Sequence, residues 1–315
     1  MTADFLGEAY SARTIKLAAV RNVDSVATLV RYPAKSPGKG ALLYVHGFCD
    51  YFFQTHVAEF FSELGYDFYA LDLRAYGRSL LPAQLPNYVT DLAEHFEELD
   101  AAAELIRQDG HERLVVMAHS TGGLITPLWA DARRGRLPLD AMVLNSPWLD
   151  LAEPWFNRTI GTAIVRLVGR WLPKLVVKPT LAPTYAHSLL RAHHGEWDYN
   201  LAWKPIEHFP VRMGWLRAVR RGHAQVHAGL DVGAPVLVLC SDKSLLHRKV
   251  WEQAAGNADT VLDVEQIARW APRLGREVTV TPVPGALHDV FLSAPSVRER
   301  ALAEAGNWLT SRTAL

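Results

Sequence analysis

The sequence predicts an α/β fold, a mostly parallel sheet wrapped by helices and broken by a helical insertion. Three observations predict it. Short apolar runs rich in β-formers alternate with longer stretches of helical periodicity. That rhythm stops after Asp150 and resumes near Pro235. One run, RLVVMA, passes straight into the polar corner HSTGG, as a strand turned sharply into a helix would.

Strands are expected at TIKLAAV (14–20), VATLVRY (26–32), ALLYVHG (41–47), DFYALDL (67–73), RLVVMA (113–118) and AMVLNS (141–146), then PVLVLC (235–240) and REVTVTPV (276–283). Between Val89 and Arg107, Leu92, Phe96, Leu99, Ala103 and Ile106 recur at three- and four-residue spacings, a helical stripe turned to the core. Further helices are expected around Val264 to Leu274 and near Ser296 to Leu309. From Leu151 to Leu230 no strand is evident, and Trp155, Trp171, Trp197, Trp203 and Trp215 accumulate with Pro, Arg and His. That window carries eleven Lys and Arg against four carboxylates, Glu153, Glu196, Asp198 and Glu207, in a chain that balances 33 against 33 overall. The expected organisation is therefore a core over 1–150, a basic helical cap over 151–230 and the rest of the core over 231–315.

With 315 residues, 49% of them hydrophobic, the chain can bury one large α/β core plus an insertion. Zero formal net charge offers no global field for nucleic acid. Cys49 and Cys240 have no metal-type spacing and suit a reducing compartment. The first residues carry Asp4, Glu8 and Arg13 without a continuous apolar stretch, so no export signal is read there, and no run approaches the roughly 18 apolar residues of a membrane span. A cytoplasmic protein is expected.

Ser120 in that corner has two readings. It can be the N-cap of the following helix, a common role for serine. It can also be a nucleophile, since a tight strand–turn–helix corner needs small flanking residues, and Ala118 and Gly122 supply them. Ala118 departs from the glycine usual before such a serine. A serine hydroxyl is a weak nucleophile until a base takes its proton and a carboxylate orients that base. His288, on the loop PGALHDV beyond the last strand, is the candidate base. Asp259 is the preferred acid, with Asp242 at the end of PVLVLC as the alternative and Asp263 behind both, which makes residues 241–257 a loop insertion. Oxyanion donors are expected from the amides of Thr121 and of Phe48, just past His46-Gly47, with His46 bracing that loop.

YVHGF, LDLRAYGRS, AHSTGG, ADTVLD and GALHDV follow the order and approximate spacing seen in α/β-hydrolases. Over most of residues 36 to 310 the chain resembles the monoacylglycerol lipase, lysophospholipase and serine aminopeptidase group. The resemblance implies a mainly parallel eight-stranded sheet, a helical cap inserted after the sixth strand, and a Ser120–His288–Asp259 triad. It implies a serine esterase that cleaves acyl esters, monoglyceride- or lysophospholipid-like with a medium or long acyl chain, through an acyl-enzyme and with neither metal nor organic cofactor.

In the cap, Ile160, Ile164, Leu167, Val168, Trp171 and Leu172 form an apolar helix face interleaved with Arg166 and Arg170, with Lys174 beyond. Such a helix can lie on anionic lipid. The preferred reading is that its apolar face closes the acyl pocket. Two other functions stay open: an aminopeptidase that holds a free amine with the cap carboxylates, and a ligand-binding hydrolase fold with little catalysis. His223 and His227 are spaced as metal ligands but lack an evident third, and no metal is expected.

Overall fold

The computed structural model describes residues 2–20, 23–36, 38–82, 84–152 and 161–313. Strands β1 (Thr2–Asp4), β2 (Gly7–Val20) and β3 (Val23–Tyr32) form an antiparallel meander. Then β4 (Ala41–Val45), α1 (Thr55–Glu63), β5 (Asp67–Asp72), α2 (Phe96–Gln108), β6 (Leu114–His119), α3 (Gly122–Ala132) and β7 (Leu139–Asn145) alternate. The insertion holds α4 (Thr162–Trp171), β8 (Val176–Lys178), α5 (Thr184–Leu189), β9 (Val211–Arg212) and α6 (Met213–Ala228). The chain closes with β10 (Val236–Ser241), α7 (Val264–Trp270), β11 (Val278–Val283) and α8 (Pro295–Thr313).

The main sheet runs β1-β2-β3-β5-β4-β6-β7-β10-β11, parallel from β5 onward. It has nine strands where eight were expected. The extra one, β1, is three residues of mostly polar chain at the sheet edge and carries no apolar run from which to read it. Period-two alternation splits the sheet into two cores. Leu42, Tyr44, Val115 and Met117 cluster with Val57 and Phe61 of α1 and with Leu302 and Leu309 of α8. Leu43, Val45, Val116 and Ala118 cluster on the other face with Leu99 of α2, Leu124 of α3 and Val219 of α6. The expected helix over 89–107 begins only at Phe96; before it, Ala93 N donates to Asp91 Oδ1 at 3.1 Å and a 3₁₀ turn spans Leu92–His95.

Two expectations about the insertion are corrected. It contains a short antiparallel ribbon, β8 on β9, where no strand was read. The apolar face of α4 does not close the cavity: Ile164, Leu167, Trp171 and Leu172 are 54%, 67%, 71% and 58% exposed, and Val165 is the α4 valine that faces inward. The cause is the approach of α4 to α6. A Cβ on Gly169 would lie 3.0 Å from Met213 O, so the small-residue side of α4 meets α6 and the large apolar side is turned out. Glu153, Trp155, Arg158 and Ile160 lie outside the described residues. Among the described residues no helix is long and apolar enough to cross a membrane.

Candidate active site

The site grows from the end of β6. Ser120 has φ of 51°, in the left-handed region that costs an L-residue about 1–2 kcal/mol. Two backbone bonds hold it there: Ser120 N donates to Asn145 O and Trp148 N donates to Ser120 O, each at 3.0 Å. The turn also demands glycine at 122, where a Cβ would sit 2.4 Å from His46 O and 2.7 Å from Val45 O. Ala118, in contrast, stays in the β6 ladder opposite Val45 and Leu144, its methyl fully buried in the core. The tight steric requirement falls after the serine.

Ser120 does not cap the helix. The first residue ahead of α3 is Thr121, which makes no side-chain cap bond, and Ser120 Oγ lies 3.0 Å from His288 Nε2. His288 Nδ1 lies 2.8 Å from Asp259 Oδ2. A carboxylate accepts only, so Nδ1 carries the proton and Nε2 is left to accept the serine O–H. Asp259 is fully buried, and its other oxygen accepts the amides of Val261 and Leu262 at 2.7 Å each. Three bonds compensate the buried charge.

The alternative acids sit elsewhere. Asp242 is exposed and accepts Gly285 N at 2.9 Å, pinning the turn ahead of His288. Asp263 caps α7 through Glu265 N. The 241–257 segment is an excursion tied back at its base, where Leu245 N donates to Asp259 O at 2.7 Å and Asp259 N donates to Lys243 O at 3.0 Å. Its far end is fastened to α5: Thr184 Oγ donates to Arg248 O at 2.7 Å, and Trp251 Nε1 donates to Ser188 Oγ at 3.0 Å.

His46 Nε2 accepts Leu73 N at 3.0 Å while Nδ1 lies 2.8 Å from Gly47 O, the bracing role expected of it. A Cβ on Gly47 would come within 3.0 Å of Ser120 Cβ, so this loop presses its backbone against the serine. Phe48 and Thr121 both line the cavity above Ser120. Of the histidine pair, His223 Nε2–H faces Trp148 O and its Nδ1 accepts from Arg220, while His227 Nε2 faces Leu149 O. Both rings fasten α6 to the loop after β7, and burial lowers the pKa of His223 to about 3.

The cavity holds about 450 Å³, within the usual range for small-molecule sites. Phe48, Trp148, Val165, Trp215 and Leu216 make one wall apolar. At its polar end Lys204, from the insertion, reaches Asp50 Oδ1 at 2.6 Å, with both groups buried. Burial pushes the Asp50 carboxyl up, but the Lys204 ammonium outweighs it and holds the group below its ordinary value. Asp50 Oδ2 and the Tyr185 hydroxyl have no hydrogen-bond partner among the described residues. Reading the sequence alone missed this end. It also missed His119, whose ring is 4.8 Å from that of His288 and whose pKa burial lowers to about 4. A third omission is the Asp289 brace behind His288, where Asn145 Nδ2 donates to Asp289 Oδ1 at 2.6 Å and Gln54 Nε2 to Oδ2 at 3.2 Å.

A mostly parallel sheet whose central strand turns sharply at a serine bonded to a histidine defines an α/β-hydrolase. A family model described as serine aminopeptidase, S33, matches residues 36–294, and the chain belongs to that family. A monoacylglycerol lipase from Mycolicibacterium smegmatis is 25% identical over 279 residues, covering 87% of this chain and 89% of that protein. Among solved structures, a soluble variant of the monoglyceride lipase from Saccharomyces cerevisiae, in complex with a substrate analog, matches with a TM-score of 0.70 at 16% identity over 94% of both chains. The monoacylglycerol lipase of Paleococcus ferrophilus matches at 0.65 and 21% identity, over 90% of this chain and 99% of that one. At these identities the structural matches speak for the fold.

Proposed function

We propose that this protein is a serine esterase that hydrolyses monoglyceride-like carboxylic esters of medium or long acyl chain. The observation that carries the reading is the unbroken Ser120–His288–Asp259 chain at the head of a largely apolar cavity. The likeness to a monoacylglycerol lipase over most of both chains supports it.

Ser120 Oγ attacks the ester carbonyl as His288 Nε2 takes its proton, and Asp259 steadies the imidazolium that forms. The amides of Phe48 and Thr121 hold the oxyanion, each contributing about 3 kcal/mol in a site of this kind. His288 then protonates the departing alcohol and activates water to release the acid. The apolar wall takes the acyl chain. Asp50 Oδ2 and the Tyr185 hydroxyl take hydroxyls of the leaving alcohol, which favours a polyol ester over a plain one.

An aminopeptidase needs a free carboxylate to hold the substrate amine. Glu196 and Asp198 are paired with Arg298 and Arg191, Glu207 is exposed, and among the described residues the one carboxylate on the cavity wall, Asp50, is matched by Lys204. That favours the ester reading. Residues 151–230 act as the substrate-selecting cap. The basic insertion with its outward apolar helix supports peripheral contact with membrane, and the two buried free thiols fit a cytoplasmic setting.

The test is a hydrolysis panel of acyl esters of rising chain length, with aminoacyl-naphthylamides alongside, for the natural chain and Ser120→Ala, together with fluorophosphonate labelling. Activity should rise with chain length, and label and activity should both vanish in the variant. Preference for acetyl esters would sink the chain-length assignment. Naphthylamide turnover would restore the peptidase, and absent labelling would leave a ligand-binding fold.

A further inference from the structure

A second large space lies outside the catalytic cavity. It is an open groove of about 750 Å³ between α4 and α6, walled by Arg166, Leu167 and Arg170 from one helix and Arg217, Ala224 and His227 from the other. Thr162 and Arg220 line both this groove and the catalytic cavity. Arg220 is committed, donating to Asp150 Oδ1 at 2.7 Å and to Thr162 Oγ at 2.9 Å. Arg166, Arg170 and Arg217 form no ion pair among the described residues, and Arg217 Nε is buried without a hydrogen-bond partner there. The Arg217 stem is held in place by the close helix approach, since a Cβ on Gly169 would lie 3.1 Å from Arg217 Cβ.

Three like charges gathered in one groove repel one another; no carboxylate is among the described residues that line it, and Asp150 serves Arg220. An anion with several oxygens would relieve that repulsion and satisfy Arg217 Nε, and guanidinium forks match phosphate oxygens in pairs. The groove is also rimmed by hydrocarbon. Ile164, Leu167, Trp171 and Leu172 project beside it, and Leu175, Val176 and Val177 continue the exposed patch at 47%, 39% and 36%. A phosphate next to acyl chains describes an anionic phospholipid at a bilayer surface better than it describes an acidic peptide, whose charges would meet this rim unsolvated.

We propose that the α4–α6 groove is a headgroup site for the phosphate of an anionic phospholipid, with Arg166, Arg170 and Arg217 as its ligands and the outward residues of α4 lying among the acyl chains. The proposal rests on the membrane contact inferred above and gives it a ligand and an orientation. Because Thr162 and Arg220 face both spaces, the docked headgroup lies one layer of side chains from the catalytic cavity.

Co-sedimentation of the full chain with two kinds of vesicle tests this: phosphatidylcholine alone, and phosphatidylcholine mixed with phosphatidylglycerol. The natural chain should prefer the anionic vesicles, and the preference should shrink with added salt. The triple variant Arg166→Gln, Arg170→Gln, Arg217→Gln should lose that preference, by about fivefold per guanidinium, and keep its binding to phosphatidylcholine and its melting temperature. Leu167→Ser with Trp171→Ser should weaken binding to both vesicles. A triple variant that keeps the anionic preference overturns the site. If the natural chain binds neither vesicle, the membrane reading fails with it; inorganic phosphate that then raises the melting temperature of the natural chain, and not of the triple variant, would reassign the groove to a soluble anion.

Discussion

The cavity has two sides built in different ways. On the sheet side, Asp259 takes three hydrogen bonds, Ser120 is held by two backbone bonds in a costly conformation, and Asp289 braces the loop behind His288 through Asn145 and Gln54. On the insertion side, every residue of β8 is exposed, α4 turns its largest apolar side chains outward, and the ties to the sheet side are separate side-chain contacts, among them Lys204 with Asp50, Arg220 with Asp150 and Asn200 N with the Tyr51 hydroxyl. Chemistry needs groups held within a fraction of an ångström, and strand ends supply that. The insertion instead presents exposed apolar surface, fastened to the sheet side by separate side-chain contacts.

The strongest way to break this contrast is at the acid. Asp259→Asn should lower kcat on the order of 10⁴-fold, whereas Asp242→Asn should change it by no more than a few-fold, since that carboxylate only pins the turn at Gly285. Steady-state hydrolysis of a chromogenic ester reads both, and equal effects would dissolve the distinction between the two aspartates. Next in size is the buried ion pair of Lys204 with Asp50. Lys204→Met strands a buried carboxylate and should cost about 3–5 kcal/mol, with most of it recovered when Asp50→Asn is added; urea midpoints for the single and double variants measure it.

A smaller effect comes from pH. His119 and His223 stay neutral in the folded chain, with burial lowering their pKa to about 4 and about 3. Unfolded, each takes a proton near pH 6.5, so their stabilising contribution is complete above that value and drains away as pH falls toward the folded values. The loss should reach about 1.4 kcal/mol per pH unit for each ring, and melting temperatures between pH 7 and pH 5 should show it. The smallest effect is expected on the outer surface of the insertion, where Leu167→Ser should shift stability by less than about 0.5 kcal/mol. A large loss there, read by thermal melting, would mean that α4 is packed more firmly than its exposure indicates.

Much of the sheet side is legible in the sequence because it is local. Buried parallel strands read as apolar runs, and the corner at Ser120 declares itself through small residues at fixed offsets. His288 follows from chain order once the serine is placed, whereas that order leaves Asp242, Asp259 and Asp263 open and the hydrogen bond to His288 Nδ1 singles out Asp259. The insertion is less legible for a physical reason: periodicity reveals that α4 has an apolar face but not what that face meets, which here is decided by Gly169 against α6. Lys204 gave no signal at all, because its partner is 154 positions away and an isolated lysine reads as a solvated one. Asp289 was hidden beside a more conspicuous histidine, and β1 by its brevity.

The alanine at position 118 bears on how proteins of this kind are found. Its methyl sits in an ordinary ladder position and packs into the core, whereas the residue two places after the serine is pressed against two carbonyl oxygens. A search pattern that weights both flanks equally discards enzymes for a freedom their backbone never needed; one drawn from atomic clearance would keep a strict glycine downstream and admit any small residue upstream.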